Sequence, residues 1–167
     1  MKGIVSSEEL DDAKLVQMAK DSESLVGRDL VKEVIPDSSS KWDTSLSTWW
    51  RLRSDEGGPK SDSKPHVVAL DFGMKYNIAR HLTDQGCEVT ILPGTATADE
   101  VMALKPDGIF LSNGPGDPEP LTYAIETIAA LLGKAPIFGI CLGHQLLSLA
   151  CGAKTFKLKF GLSLIHI

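Results

Sequence analysis

From residue 66 onward the chain alternates short apolar runs with stretches of helical spacing, and this alternation limits the possible folds more than any other feature. The apolar runs lie at 67–71, 88–92, 108–112 and 136–140, and helical stretches at about 75–85, 98–104, 121–132 and 142–151. Thr97 with Glu100 is a capping-box signal, and Gly86 and Gly133 stand where helices end. Strands that strictly alternate with helices imply an α/β fold: a parallel sheet with helices on both faces, joined by right-handed crossovers. Ligands of such sheets bind at the carboxyl ends of the strands. The loops after Ser112 and Ile140 both lie at those ends and open on the same side.

The fourth strand runs directly into P-I-F-G-I-C-L-G-H-Q at 136–145. A buried strand, a sharp turn carrying a nucleophile and a helix make a nucleophile elbow. Gly139 and Gly143 flank Cys141 because a Cβ would collide where strand and helix approach. A thiol at a helix N-terminus meets unpaired N–H groups and the positive end of the dipole, which favours the thiolate. The N–H of Leu142 points to where an oxyanion develops in acyl transfer. A core cysteine needs no glycine-flanked turn, so the catalytic reading of Cys141 outweighs the structural one. Cys87 and Cys151 lack such a setting and are expected in the core.

A second element, S-N-G-P-G-D-P at 112–118, follows the third strand. Two glycines, two prolines and an aspartate make a rigid turn with outward-pointing N–H groups. It is no phosphate loop, having no Gly-Lys-Ser/Thr, and it lacks the third glycine of a dinucleotide fingerprint. Alone it reads as a plain turn about as well. Beside the elbow it offers a second oxyanion donor, from Gly114. His144 is poorly directed toward Cys141 from its own helix and reads as structural. His81 reads as surface or helix packing, and Asp71 as a side chain that holds a neighbouring loop by hydrogen bonds.

Upstream the text differs. Ser6 and Glu9 form a capping-box signal for a helix carrying Leu10, Leu15 and Met18, which Asp11 and Asp12 can split into a turn and a second helix. Gly27-Arg28-Asp29 marks a turn, and 30–35 reads as a short strand. Residues 1–35 are too few for a domain and read as the end of one. The Ser-, Asp-, Lys- and Gly-rich stretch 36–65 reads as a linker, in which Trp42, Trp49 and Trp50 are expected to pin the chain to a neighbouring surface. A net charge of −5 without a basic run argues against nucleic acid. Three cysteines without metal-ligand spacing, no secretory signal and no run near membrane-span length point to a cytoplasmic protein without metal or membrane contact.

The paired motifs, G-I-C-L-G-H-Q and S-N-G-P-G-D-P, resemble those of the class I glutamine amidotransferases, a flavodoxin-like fold. The segments at 25–34, 71–78, 108–118 and 152–161 resemble in particular the family of small chains of carbamoyl phosphate synthase, over about residues 2–161. The resemblance implies a Cys-His-Glu triad that hydrolyses the side-chain amide of glutamine, with Cys141 as nucleophile. It implies an oxyanion hole at Gly114 and Leu142, and glutamine contacts at Gly114, Gly116, Leu142 and Gln145. It further implies a large synthetase chain as partner, which takes the ammonia and uses ATP to make carbamoyl phosphate for arginine and pyrimidine synthesis; this chain itself needs no cofactor.

The same resemblance divides the chain into a remnant of the small chain's N-terminal domain (1–35), the linker (36–65), a partial amidotransferase domain (66–161) incomplete at its C-terminus, and a non-family tail (162–167). The family's triad His and Glu lie downstream of Gly161, and His166 does not stand in for them. A fragment so divided is expected to expose a sheet edge or apolar face and to be catalytically incompetent alone, at most a binding or structural module. Another class I amidotransferase is the remaining reading, disfavoured by 25–34.

Overall fold

The computed structural model describes residues 2–46, 64–156 and 158. Trp49, Trp50 and the 162–167 tail fall outside the described residues. Among the described residues five strands form one sheet in the order β1-β3-β2-β4-β5: β1 Ser40–Trp42, β2 His66–Asp71, β3 Glu88–Pro93, β4 Gly108–Leu111 and β5 Ile137–Gly139. The last four run parallel, with β2 registered on β3 from His66↔Glu88 to Asp71↔Pro93 and on β4 from Val67↔Gly108 to Leu70↔Leu111.

Side chains alternate across a strand, so each strand feeds two cores. Val68, Leu70, Ile109 and Leu111 face one layer, where α3 (Ala98–Ala103), α4 (Thr122–Leu131) and α5 (Leu142–Ala150) supply Val101, Ile128, Leu131 and Leu146. Ala69, Val89, Ile91 and Phe110 face the other, covered by Ala79, Ile78 and Leu82 of α2 (Asn77–Asp84). The expected helices on both faces are therefore present. The Thr97–Glu100 capping box forms, and Gly86 and Gly133 take φ of +87° and +77° just past α2 and α4.

Two local expectations change, and at the N-terminus the alternative of a turn and a second helix is the one that forms. The stretch 30–35 is not a strand: Val31–Glu33 is a 3-10 helix, closed by the N–H groups of Val34 and Ile35 on the Val31 carbonyl. Val31 is fully buried in the larger core with Ile35 packed against it, which docks the segment without strand pairing. Within the stretch read as linker, β1 adds an antiparallel edge to β3. Trp42 stacks on Tyr76 at 5.2 Å and donates from Nε1 to the Thr44 carbonyl, the pinning role expected of these rings. At the N-terminus Ser6 Oγ accepts from the N–H groups of Glu8 and Glu9, but this closes only a turn; α1 (Asp12–Asp21) begins after Asp11, whose carboxylate accepts from Ala13 and Lys14. α1 buries no residue.

At the far side of the sheet β5 is the outer strand, and Phe138 is 64% exposed on the face that α2 covers elsewhere. Among the described residues no helix is long and apolar enough to cross a membrane.

Candidate active site at the carboxyl ends of the strands

The chain leaves β2 for β3 on one side and reaches β4 on the other, which puts a topological switch point between β2 and β4. Crevices at such points are where open α/β sheets bind ligands. The loops after β2, β4 and β5 meet here.

Cys141 stands between β5 and α5 with φ 54° and ψ −111°. Non-glycine residues rarely take positive φ, and such strain costs on the order of 1–3 kcal/mol. The cost is imposed by packing on both sides. A Cβ at Gly139 would lie 2.6 Å from the Gly143 carbonyl carbon, and one at Gly143 would lie 2.3 Å from the Leu111 oxygen. Strand, helix and the neighbouring strand are thus in backbone contact. The Gly143 N–H reaches the carbonyls of Ser112 and Ile140, both at 3.0 Å, and the Ile140 N–H reaches Leu111. The result is an exposed thiol at the N-terminus of a nine-residue helix, while Leu142 just behind it is buried.

Gly114 lies against the same turn. A Cβ there would meet the Phe72 oxygen at 2.2 Å and Leu142 Cδ2 at 2.6 Å. Gly116, with φ 84°, and Gln145 both line a cavity of about 260 Å³ whose other walls include Asp117, Glu119 and Phe156. The structure therefore gathers Gly114 and Leu142 in one packing contact, and Gly116 and Gln145 around one cavity. Pro115 lies 3.0 Å from where a Gly73 Cβ would stand, which joins the loops after β2 and β4.

Several groups in this region were not singled out by sequence. Leu25 and Val26 complete the cavity wall, held there by the Gly27 N–H, which donates to Asp117 Oδ2 at 3.0 Å. Asn113 and Ser112 bond across to the loop after β2. Asp71 holds its own loop rather than a neighbouring one, accepting from Gly73 and Met74. The signal for Asn113 was legible: an amide side chain at a strand end, directly before a Gly-Pro turn, is placed to bond backbone.

The remaining candidates separate from the site. His144 and His81 are exposed on their helices. Cys87 is half-buried, and burial pushes its thiol up. Cys151 is not a core cysteine: it caps the last turn of α5, where the chain leaves the layer, and is exposed.

Comparison with known proteins agrees with this geometry. Residues 68–164 match the family model described as glutamine amidotransferase class-I. The carbamoyl phosphate synthase small chain of Rhodopirellula baltica is 59% identical over 165 residues, covering 96% of this chain and 42% of its own length. That of Syntrophotalea carbinolica is 55% identical over 161 residues, and the chloroplastic small chain of Oryza sativa 45% over 160, covering 42% and 35% of those proteins and 95% of this chain. The chain thus spans less than half the length of these relatives. Among solved structures, a Thermoplasma acidophilum protein assigned to GMP synthase superposes with a TM-score of 0.52 at 24% identity, over 60% of this chain and 51% of that one, a likeness of fold. With more than half of its residues matching the family model, and with the α/β sheet and elbow in place, the chain belongs to the class I glutamine amidotransferases.

Proposed function

We propose that this chain carries the nucleophile side of the glutaminase site of a carbamoyl phosphate synthase small chain. The observation that supports this best is the exposed Cys141 thiol, held at a strained strand-to-helix turn one helical turn before Gln145, which lines the cavity with Gly116. The reaction suited to it is acyl transfer. Cys141 Sγ attacks the side-chain carboxamide carbon of glutamine, and the resulting oxyanion lies between the N–H groups of Gly114 and Leu142. Collapse expels ammonia and leaves a glutamyl thioester, and water then releases glutamate. Gly116 and Gln145 hold the amino-acid end of the substrate, and the carboxylates of Asp117 and Glu119 suit its ammonium group.

The His-Glu pair that the resemblance places downstream of Gly161 takes the thiol proton and returns it to the departing nitrogen. The ammonia passes to a large synthetase chain, which spends ATP on carbamoyl phosphate, in the cytoplasm. In domain terms, 66–161 carries the site, 1–35 is the end of a preceding domain that supplies the Leu25–Val26 wall, and 36–65 connects the two.

Thiol mapping tests the reading. A chloromethyl ketone analogue of glutamine should label Cys141 in preference to Cys87 and Cys151, free glutamine should protect it, and Cys141→Ser should abolish the label. Equal labelling of the three cysteines, indifferent to glutamine, would sink the proposal.

A further inference from the structure

We propose that Asp71 and Asn113, braced by Ser112, are positioning residues that form a clasp across the switch-point crevice and set the place of the Gly114 amide. The inference rests on the reading of Cys141 as nucleophile and Gly114 as oxyanion donor, and names the side chains through which that donor is held.

The clasp is built from four successive backbone N–H groups, each ending on a side-chain oxygen. Phe72 donates to Ser112 Oγ at 2.8 Å, Gly73 and Met74 both donate to Asp71 Oδ1 at 2.7 Å, and Lys75 donates to Asn113 Oδ1 at 3.1 Å. Asn113 Nδ2 returns a bond to the Gly73 carbonyl at 3.0 Å, and Ser112 Oγ donates to the Asn113 carbonyl at 2.7 Å. The amide orientation of Asn113 is therefore determined: flipped, it would set oxygen against carbonyl and NH2 against N–H. An aspartate could keep the bond from Lys75 but not the one to Gly73.

These bonds reach Gly114 through the Phe72 carbonyl. That oxygen is so near the Gly114 Cα that a Cβ would lie 2.2 Å from it. Asp71 is 4% exposed and Ser112 fully buried, so water competes weakly for either. The loop after β2 is thus a template, made rigid by side chains of both loops, against which the glycine of the second loop is pressed. Gly116 and Gln145, which line the cavity, take no part in these bonds. The clasp should therefore affect the chemical step more than substrate binding.

The test uses the complete polypeptide that carries this segment, with glutamine hydrolysis followed as kcat and KM separately. Removing an oxyanion donor outright costs about 10²–10³-fold in kcat. Asn113→Ala and Asn113→Asp, which misplace the donor without deleting it, are expected to lower kcat by about tenfold, with KM changed by less than about threefold. Alkylation of Cys141 by iodoacetamide, which needs the thiol but no oxyanion donor, should proceed at the unsubstituted rate. Asp71→Asn, which keeps the acceptor, should recover most of what Asp71→Ala loses.

The near-isosteric Asn113→Asp guards against a variant that fails to fold, and thermal melts accompany each protein. Parallel loss of kcat, alkylation and melting temperature would mark the clasp as merely structural and overturn the inference. So would a kcat within about twofold of the unsubstituted chain in both Asn113 variants, a change too small for a displaced donor. Hydrolysis that survives Cys141→Ser would instead sink the catalytic reading itself, and the inference with it.

Discussion

The elbow at 137–146 and the N-terminal segment at 2–35 are held to the sheet by opposite means. At the elbow, backbone meets backbone: Gly139 against Gly143, Gly143 against Leu111, Gly114 against Phe72. In the N-terminal segment the attachments are side chains acting singly. Val31 inserts into the core, Asp117 accepts from Gly27, Tyr123 donates to Asp29 and Lys32 sits 4.9 Å over the Tyr123 ring. The ion pairs of Arg28 with Glu23 and Glu33 are solvent-exposed and contribute little. Contact through main chain leaves no atom to trim or rotate, so it defines geometry closely and tolerates no added atom. Contact through tethers tolerates change in proportion to the tether lost.

The largest expected effect breaks the elbow. Gly143→Ala places a methyl 2.3 Å from the Leu111 oxygen, and should cost about 3 kcal/mol or more, because the atom it meets is backbone and cannot rotate away. Gly3→Ala, with open space around it, is the control and should be near neutral. Urea melts of the two variants decide the point; a Gly143→Ala protein within about 1 kcal/mol of the original would mean that strand and helix separate easily.

Next in size is the principal tether. Val31→Ala should cost about 2 kcal/mol through lost burial and a residual cavity. It should also raise protease cleavage between α1 and β1 while leaving alkylation of Cys141 unchanged. Cleavage and thiol reactivity rising together would show that the two regions open as one unit.

The smallest effect concerns pH. Burial, followed by the nearby Asp29 carboxylate, pushes the Tyr123 hydroxyl up to about 12, from the ordinary tyrosine value near 10. Below pH about 10 both folded and unfolded states hold this proton, so the contribution is fully present. As pH rises from there through about 12 the unfolded chain releases the proton first, and stability falls. Tyr123→Phe should flatten that part of the melting-temperature profile, and an unchanged slope would remove Tyr123 as its source.

The two regions also differed in how much of them could be read from sequence. The elbow was legible because its requirement is local: apolar residues, then glycine, cysteine and glycine at fixed spacing, describe a strand-to-helix turn wherever the rest of the chain goes. The parallel strands and their helices were legible for the same reason, since burial on both faces produces continuous apolar runs. The N-terminal segment depended on distant partners. Nothing within 30–35 says that Val31 will be fully inserted and Ile35 only partly buried beside it, so an alternating pattern read as a strand where a single turn of 3-10 helix formed. β1 lay in a polar stretch, and only the free edge of β3 made it a strand. The cavity wall at Leu25–Val26 was illegible for a related reason. It is placed by an aspartate some 90 residues away in sequence, in a bond that local pattern does not encode.

The strand order has a consequence for synthesis. Chains fold largely as they emerge, N-terminal part first. β2 sits at the middle of the sheet but is the first parallel strand to appear, and its partners β3 and β4 follow in turn. Both loops of the Asp71–Asn113 clasp therefore exist before residue 141 has been made. On a ribosome the two loops that hold Gly114 are therefore made before the elbow, and Cys141 and Leu142 are joined to them afterwards, so the order of synthesis runs from the clasp to the thiol.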